Sequence, residues 1–442
     1  MEREEGELAI DIREVLLSSA QQKLDALSYE PMASDNFTIF RVPAHVRQRN
    51  KHLYEPQTVA IGPYGVGRDV EPSLRAMEWL KWRYLQEFLS RSSNCTIDNY
   101  VDAIQELEPR ARRCYFERVE LSTKEFAEML LLDGCFIIEF LIKWNGGEND
   151  GVRAAEWSLP LIRGDLLLLE NQIPLFVLET LYELRTFQID GTAAPPMKEL
   201  LVNYLASKNL ESPEEEADSS NEEMEGNDDH GLIVRGEAKD FDHLFHLFYR
   251  CYVTKPQTAP TGRTIRGTIL KWLKPSKICA SLLSYLRFKN DELHAPAAKI
   301  RLPNTIPSAT VLLEAGVTFR KKNPCHPGSF LDVTFQGGVL EIPFLSVNNS
   351  TLSLFTNLVA FEQCSGCKPE KAYMTSYVTF MNCIIDTPRD VAILHQSGIL
   401  ENQLASDMDL AVFFNEFSNC PPMYYKEHYL AGLFQELREY CN

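Results

Sequence analysis

A chain of 442 residues, 45% hydrophobic and 10% aromatic, carries enough apolar side chain for one large packed domain or two medium ones, which excludes a wholly disordered protein. Its formal charge of -18 and pI near 5.1 argue against general nucleic-acid binding, so no nucleic-acid partner is expected. Much of the acidity is local, because residues 211–229 hold ten Asp or Glu and no Lys or Arg, leaving -8 for the rest.

The charged start, Met1 to Glu7, lacks the basic first residues and apolar core of a secretory signal. Eleven cysteines, an odd number scattered from Cys95 to Cys441, suit a reducing compartment, and most read as small buried hydrophobes. The expected location of the chain as written is cytoplasmic. The sequons at Asn36, Asn94, Asn348 and Asn349 then read as chance matches. No uncharged apolar run reaches the roughly 18 to 20 residues that span a bilayer. Asp133 and Glu139 interrupt residues 130–142, and Glu170, Asn171 and Gln172 interrupt residues 166–178, so both stretches read as buried core.

Four segments are predicted. Residues 1–36 form a leader, partly helical through Ile12, Val15, Leu16 and Leu27. Residues 37–208 form a helical part. It begins with a loop region over residues 37–64, punctuated by Pro43, Pro56 and Pro63, that covers a core. Two helices follow from Pro72, with Met77, Leu80, Tyr84, Leu85 and Phe88 on one face of the first and Tyr100, Ile104 and Leu107 on the second. Ser122 with Glu125 is a capping-box pattern that starts a third helix, which ends before Asn145-Gly146-Gly147 with a left-handed exit. Residues 165–184 read as helix that Pro174 kinks or splits, and residues 195–208 as one more helix.

Residues 209–231 read as a disordered acidic insert, since like charges without large hydrophobes cannot offset the entropy of ordering. Residues 232–442 continue the same domain. They open with a basic tract, residues 255–289, that has eight Lys or Arg and no acid. Past Pro307 the pattern turns extended, with a hairpin predicted around Gly337-Gly338. Helices resume at 351–363, 373–385, 388–394 and 407–417. The fold class is mainly α with a small antiparallel hairpin or sheet in the C-terminal half.

Several motifs invite chemistry. Gly62-Pro63-Tyr64-Gly65-Val66-Gly67 lacks the Gly-Lys-Ser/Thr ending of a phosphate loop and reads as a turn. Cys364 and Cys367 form one Cys-x-x-Cys at a helix C-terminus, where partial negative charge disfavours a thiolate. With only Cys325-His326 as distant further ligands, they read as structural. Asp133, Glu139, Asp165, Glu170 and Glu362 sit inside apolar runs, where burial raises a carboxyl pKa towards useful acid-base values. The competing reading is scaffolding, each acid paired with arginine or capped by backbone amides, with Arg110, Arg112, Arg113 and Arg163 available.

Seven blocks, taken together, resemble a known plant family, domain of unknown function 247. They are Ile39-Phe40-Arg41-Val42-Pro43, Ile61-Gly62-Pro63-Tyr64, Met77-Glu78 with Lys81-Trp82 and Tyr84-Leu85, Leu131-Leu132-Asp133-Gly134-Cys135-Phe136, residues 165–174 ending Glu170-Asn171-Gln172-Ile173-Pro174, Glu314-Ala315-Gly316-Val317, and Asn357-Leu358-Val359-Ala360-Phe361-Glu362-Gln363-Cys364. The resemblance covers residues 38–440. It implies no catalytic activity or cofactor, a recognition role in some grass members on the pollen side of self-incompatibility, and commonly a C-terminal hydrophobic anchor. This chain stops at Tyr440-Cys441-Asn442 without one, so a membrane location is expected only for a longer form.

The leading functional expectation is a non-enzymatic protein-protein recognition protein with an unidentified protein partner, no cofactor, no metal and no catalytic residue. Its rivals are a hydrolase-like enzyme using the buried carboxylates, and a peripheral membrane protein whose Lys271, Lys274 and Lys277 contact an anionic surface. An enzyme needs a hollow where several of the acids converge, whereas a recognition module needs an exposed apolar patch.

Overall fold

The computed structural model describes residues 12–22, 37–48, 50–65, 72–91, 95–147, 158–185, 188–189, 192–193, 195–206, 241–253, 305–323, 330–367, 371–417 and 428–441. The acidic insert, the basic tract with Lys271, Lys274 and Lys277, and Cys325-His326 lie outside these residues. The chain divides into two compact units, residues 1–248 and 249–442. The fold is helix-dominated α+β.

In the first unit, α1 (residues 12–22) leaves Ile12, Val15 and Leu16 exposed, and α2 (Ala44–Arg47) is a single turn in the proline-punctuated loop. Next come α3 (Pro72–Ser90), α4 (Ile97–Arg112), α5 (Thr123–Gly146), α6 (Ser158–Leu166), α7 (Leu175–Leu184) and α8 (Met197–Ala206). Between α7 and α8 lies a minimal ribbon of β1 (Gln188–Ile189) and β2 (Thr192–Ala193).

The centre is α5. It is buried without a break from Met129 to Lys143 and packs against α3, α4, α7 and α8, as expected of a helix apolar on every face. Its start follows from sequence, and its left-handed exit falls at Gly147, so the helix runs on through Asn145 and Gly146, past the predicted stop before Asn145. Ser122 and Glu125 form the reciprocal capping box, and Gly147 closes the helix at φ 66°. Gly134 admits α7, because a Cβ there would stand 2.5 Å from Leu181 Cδ1. Residues 165–184 are split rather than kinked: α6 ends at Leu166, the chain runs irregularly through buried Leu167 to Ile173, and Pro174 is the N-cap of α7.

Helix α9 (Leu244–Tyr252) begins in the first unit and ends in the second. There α10 (Ala309–Glu314) leads through Gly316 at φ 91° into β3 (Thr318–Lys322). The predicted hairpin is present as β4 (Thr334–Gln336) and β5 (Val339–Pro343), joined by Gly337 and Gly338, both at positive φ, as a tight two-residue turn requires. The sheet it belongs to is mixed rather than purely antiparallel, since β3 joins the other edge of β5 in parallel. A parallel partner is invisible to local pattern because its register is set by chain far away. The same holds for β6 (Leu345–Val347), which pairs in parallel with β7 (Leu400–Asn402) across α11 (Asn349–Cys364), α12 (Tyr373–Ile384) and α13 (Pro388–Gln396). The chain continues through α14 (Asp407–Glu416) and α15 (Ala431–Cys441) around a core of Phe355, Tyr377, Phe380, Phe414 and Phe434.

Candidate functional site

Three buried carboxylates of the first unit, Asp133, Asp165 and Glu170, are fasteners for the loop of residues 39–62. That loop has little secondary structure, so its amides need acceptors from elsewhere. Asp165 supplies two oxygens to three successive donors, the amides of Gln57 (2.8 Å), Thr58 (2.6 Å) and Val59 (2.8 Å). Asn171 Oδ1 accepts from the Ile61 amide at 2.6 Å, while its Nδ2 donates to Val59 O and Asp165 O. Asp133 Oδ2 accepts from the Gly62 amide at 2.8 Å. Glu170 accepts from the Val42 amide at 3.0 Å and from Arg47 at 2.6 Å, with Arg41 at 3.7 Å.

Gln172 completes the set from inside. Its Nε2 donates to Leu166 O and Leu168 O, its Oε1 accepts from the Phe245 amide, and its carbonyl accepts from Tyr115 Oη. The irregular stretch between α6 and α7 exists because these side chains satisfy the backbone groups that a helix would have satisfied. It encloses a seam beside Ile61, Ile137 and Leu178 with no room for a water molecule.

Charges are matched in the same economical way. Lys81, 2% exposed, spends its three ammonium protons on Ala60 O (2.5 Å), Glu78 (2.5 Å) and Asp133 (2.7 Å). Burial would lower its pKa, but the two carboxylates outweigh burial and raise it, so Lys81 stays charged. Glu139, fully buried, pairs with Arg91 at 2.9 Å. Burial pushes Asp165 up to about 6 against its three amide bonds. Beside this block His243 is held neutral: Nε2 faces Thr38 O at 3.0 Å, Nδ1 accepts from the His246 amide, and burial depresses its pKa to about 3.

In the second unit Glu362 accepts four bonds, from Tyr249 Oη (2.7 Å), the Met374 amide (2.9 Å), and the Thr375 amide and hydroxyl (2.7 and 2.6 Å). Three of the five acids meet a cation, Asp133 with Lys81, Glu139 with Arg91 and Glu170 with Arg41 and Arg47, and none of these is an arginine the sequence offered. Arg110 lies 3.8 Å over the Phe176 ring, Arg112 pairs with Glu108, and Arg163 donates to Leu205 O.

The other motifs are placed as follows. Gly62 at φ 73° leads into a single 3-10 turn, Pro63–Gly65, and residues 66–67 lie outside the described set. Cys364 ends α11 and Cys367 follows Gly366. Neither forms a disulfide, burial pushes the Cys367 thiol up, and no group of three metal-ligating side chains forms among the described residues. Asn348, read as a chance sequon, is the N-cap of α11. No helix among the described residues is long and apolar enough to cross a membrane.

Two features went unnoticed in the sequence. A hollow of about 560 Å³ opens in the second unit beside residues 305–308, the last turns of α12 and α14, and Asp386, and none of the five acids lines it. On α3, Trp79 and Trp82 are 72% and 50% exposed, on the face carrying Arg75 and Gln86, opposite the buried Met77, Tyr84 and Phe88. Helical phase alone could have found the tryptophans, since they fall outside the arc of the buried residues.

The blocks Ile39 to Pro43, Ile61 to Tyr64, Leu131 to Phe136 and Asp165 to Pro174 thus meet in one buried lattice. The model of the family DUF247, described as a plant protein of unknown function, matches residues 39–442. Over 428 residues the chain is 28% identical to UPF0481 protein At3g47200 of Arabidopsis thaliana, covering 96% of this chain and 81% of that one. It is 25% identical over 448 residues to putative UPF0481 protein At3g02645 of the same plant, covering 90% and 82%. No solved structure matches. With its blocks fastened to one another and its length matched from residue 39 onward, the chain belongs to DUF247, a family of plant proteins of unknown function.

Proposed function

We propose that this protein is a non-enzymatic recognition module that binds a protein partner through the outward face of α3. The observation that carries the reading is the pair Trp79 and Trp82, exposed on one helix face with Arg75 beside them. Exposed tryptophans place a large apolar area in water, and Trp and Arg are the residues most enriched at the energetic centres of protein interfaces. The partner surface is apolar with a carboxylate rim, facing Arg75. Arg83 is already offset by Glu87 at 3.0 Å. A second support is that the five buried acids are each occupied by donors and none lines the hollow, whereas the rival hydrolase reading calls for several of them converging on one hollow.

The family resemblance suggests reproductive signalling as the setting. The test is affinity capture from pollen and from vegetative tissue with the intact chain and with Trp79→Ala/Trp82→Ala, followed by direct titration of the captured partner. The double variant should keep its melting temperature and lose about 1,000-fold in affinity, since two central anchors at about 2 kcal/mol each sum to about 4 kcal/mol. Equal affinity for both proteins would refute the reading, and enrichment from vegetative tissue alone would remove its reproductive part.

A further inference from the structure

The hollow of about 560 Å³ in the second unit has a consistent electrostatic character. Asn382 and Cys383 come from the last turn of α12 and Asn415 from the last turn of α14, so two helix C-termini, the partially negative ends of their helices, border it. Asp386 adds a full carboxylate, exposed and without a cationic partner among the described residues. No Lys, Arg or His lines the hollow.

Two helix N-termini also start close by in sequence, at Ser308 and Thr387, but their positive ends are already matched. Buried Asp390 accepts from the Thr310 amide (2.7 Å) and hydroxyl (2.7 Å) and from the Thr387 amide (2.9 Å) and hydroxyl (2.8 Å). What is left over is negative. The remaining polar lining, the Thr305 and Ser308 hydroxyls and the two Asn amides, supplies further acceptors, while Ile306 supplies an apolar surface. Asn415 Nδ2 donates to Asp386 O at 3.0 Å, which leaves the Asp386 carboxylate and the other acceptors open on a concave surface.

We propose that the hollow binds an alkyl ammonium or guanidinium group, its cation on the Asp386 carboxylate and its methylene stem along Ile306. Such a group is carried both by a small free amine and by a Lys or Arg side chain of a bound peptide. The site is separate from the tryptophan face of α3 and does not depend on it.

The experiment is calorimetric titration of the full chain at 150 mM salt, which suppresses diffuse attraction of cations to a protein of charge -18. The probes are agmatine, N-acetylarginine amide and, as the uncharged control, 1-butanol. Agmatine is expected to bind saturably at one site, to lose at least about tenfold in affinity in Asp386→Asn, and to keep it in Glu436→Gln, an exposed acid outside the hollow. Bound agmatine should also slow alkylation of Cys383, followed by peptide mass spectrometry. If Asp386→Asn fails to fold by circular dichroism, Asn382→Leu, which fills the hollow, replaces it. Comparable binding of the arginine amide assigns the source to a partner's side chain, and binding of agmatine alone assigns it to a free amine. No saturable binding, equal loss in Glu436→Gln, 1-butanol binding as well as agmatine, or unprotected Cys383 would each overturn the proposal.

Discussion

Asp165 accepts three successive loop amides, and burial still holds its carboxyl at about 6, while His243, enclosed beside Thr38, is held down to about 3. The two act on stability in opposite senses. For His243 the folded pKa lies below the unfolded value of 6.5, so the unfolded chain binds the extra proton. Its contribution is present above 6.5 and is lost as pH falls towards 3. For Asp165 the folded pKa lies above the unfolded 3.8, so its contribution is present below 3.8 and is lost as pH rises through 6. Between pH 6.5 and 4 the wild type should therefore lose stability on acidification more steeply than His243→Gln, by up to about 1.4 kcal/mol per pH unit. Urea denaturation across that range measures it, and parallel curves would contradict the assignment. The sequence marked Asp133, Glu139, Asp165, Glu170 and Glu362 as either reactive or structural, and the structure supplies each with donors. It missed their cationic partners because Lys81 and Arg91 lie 52 and 48 residues from Asp133 and Glu139, a separation that no local pattern spans.

At the scale of elements, the loop of residues 39–62 and the irregular stretch between α6 and α7 form one joint. Gly62 is a point where their backbones approach closely. At φ 73° it occupies the left-handed region, and a Cβ there would stand 2.4 Å from the carbonyl oxygen of Gln172. That oxygen belongs to backbone pinned on both sides, so it cannot yield as a flexible side chain would. Gly62→Ala should cost about 3 kcal/mol or more, combining left-handed strain with the clash, and should lower the unfolding midpoint in denaturant at unchanged slope. An unchanged midpoint would show that the joint relaxes freely. Helix ends were legible because they are local chemistry: Ser122 with Glu125, Gly147, and the glycine pair of the hairpin. The break before Pro174 was legible as an alternative, but not the purpose of Glu170, Asn171 and Gln172, which becomes visible only once the loop is folded against them.

At the scale of the whole molecule, charge and composition gave the broad class, and the tryptophan face and the acceptor-lined hollow are two of the surfaces left open among the described residues. Removing residues 211–229 takes the formal charge from -18 to -8. On the reading of that segment as a disordered insert, the melting temperature should not move, and a calorimetric loss of several degrees would refute it. The sequence by itself determined helix dominance, the capping of α5, the hairpin turn and the family, because these rest on periodicity, neighbouring residues and block order. Tertiary structure alone decided which strands pair in parallel, which cation meets which acid, and which polar groups stay unspent. Each of those depends on side chains that the chain brings together from tens of residues apart, where no local spacing records the encounter.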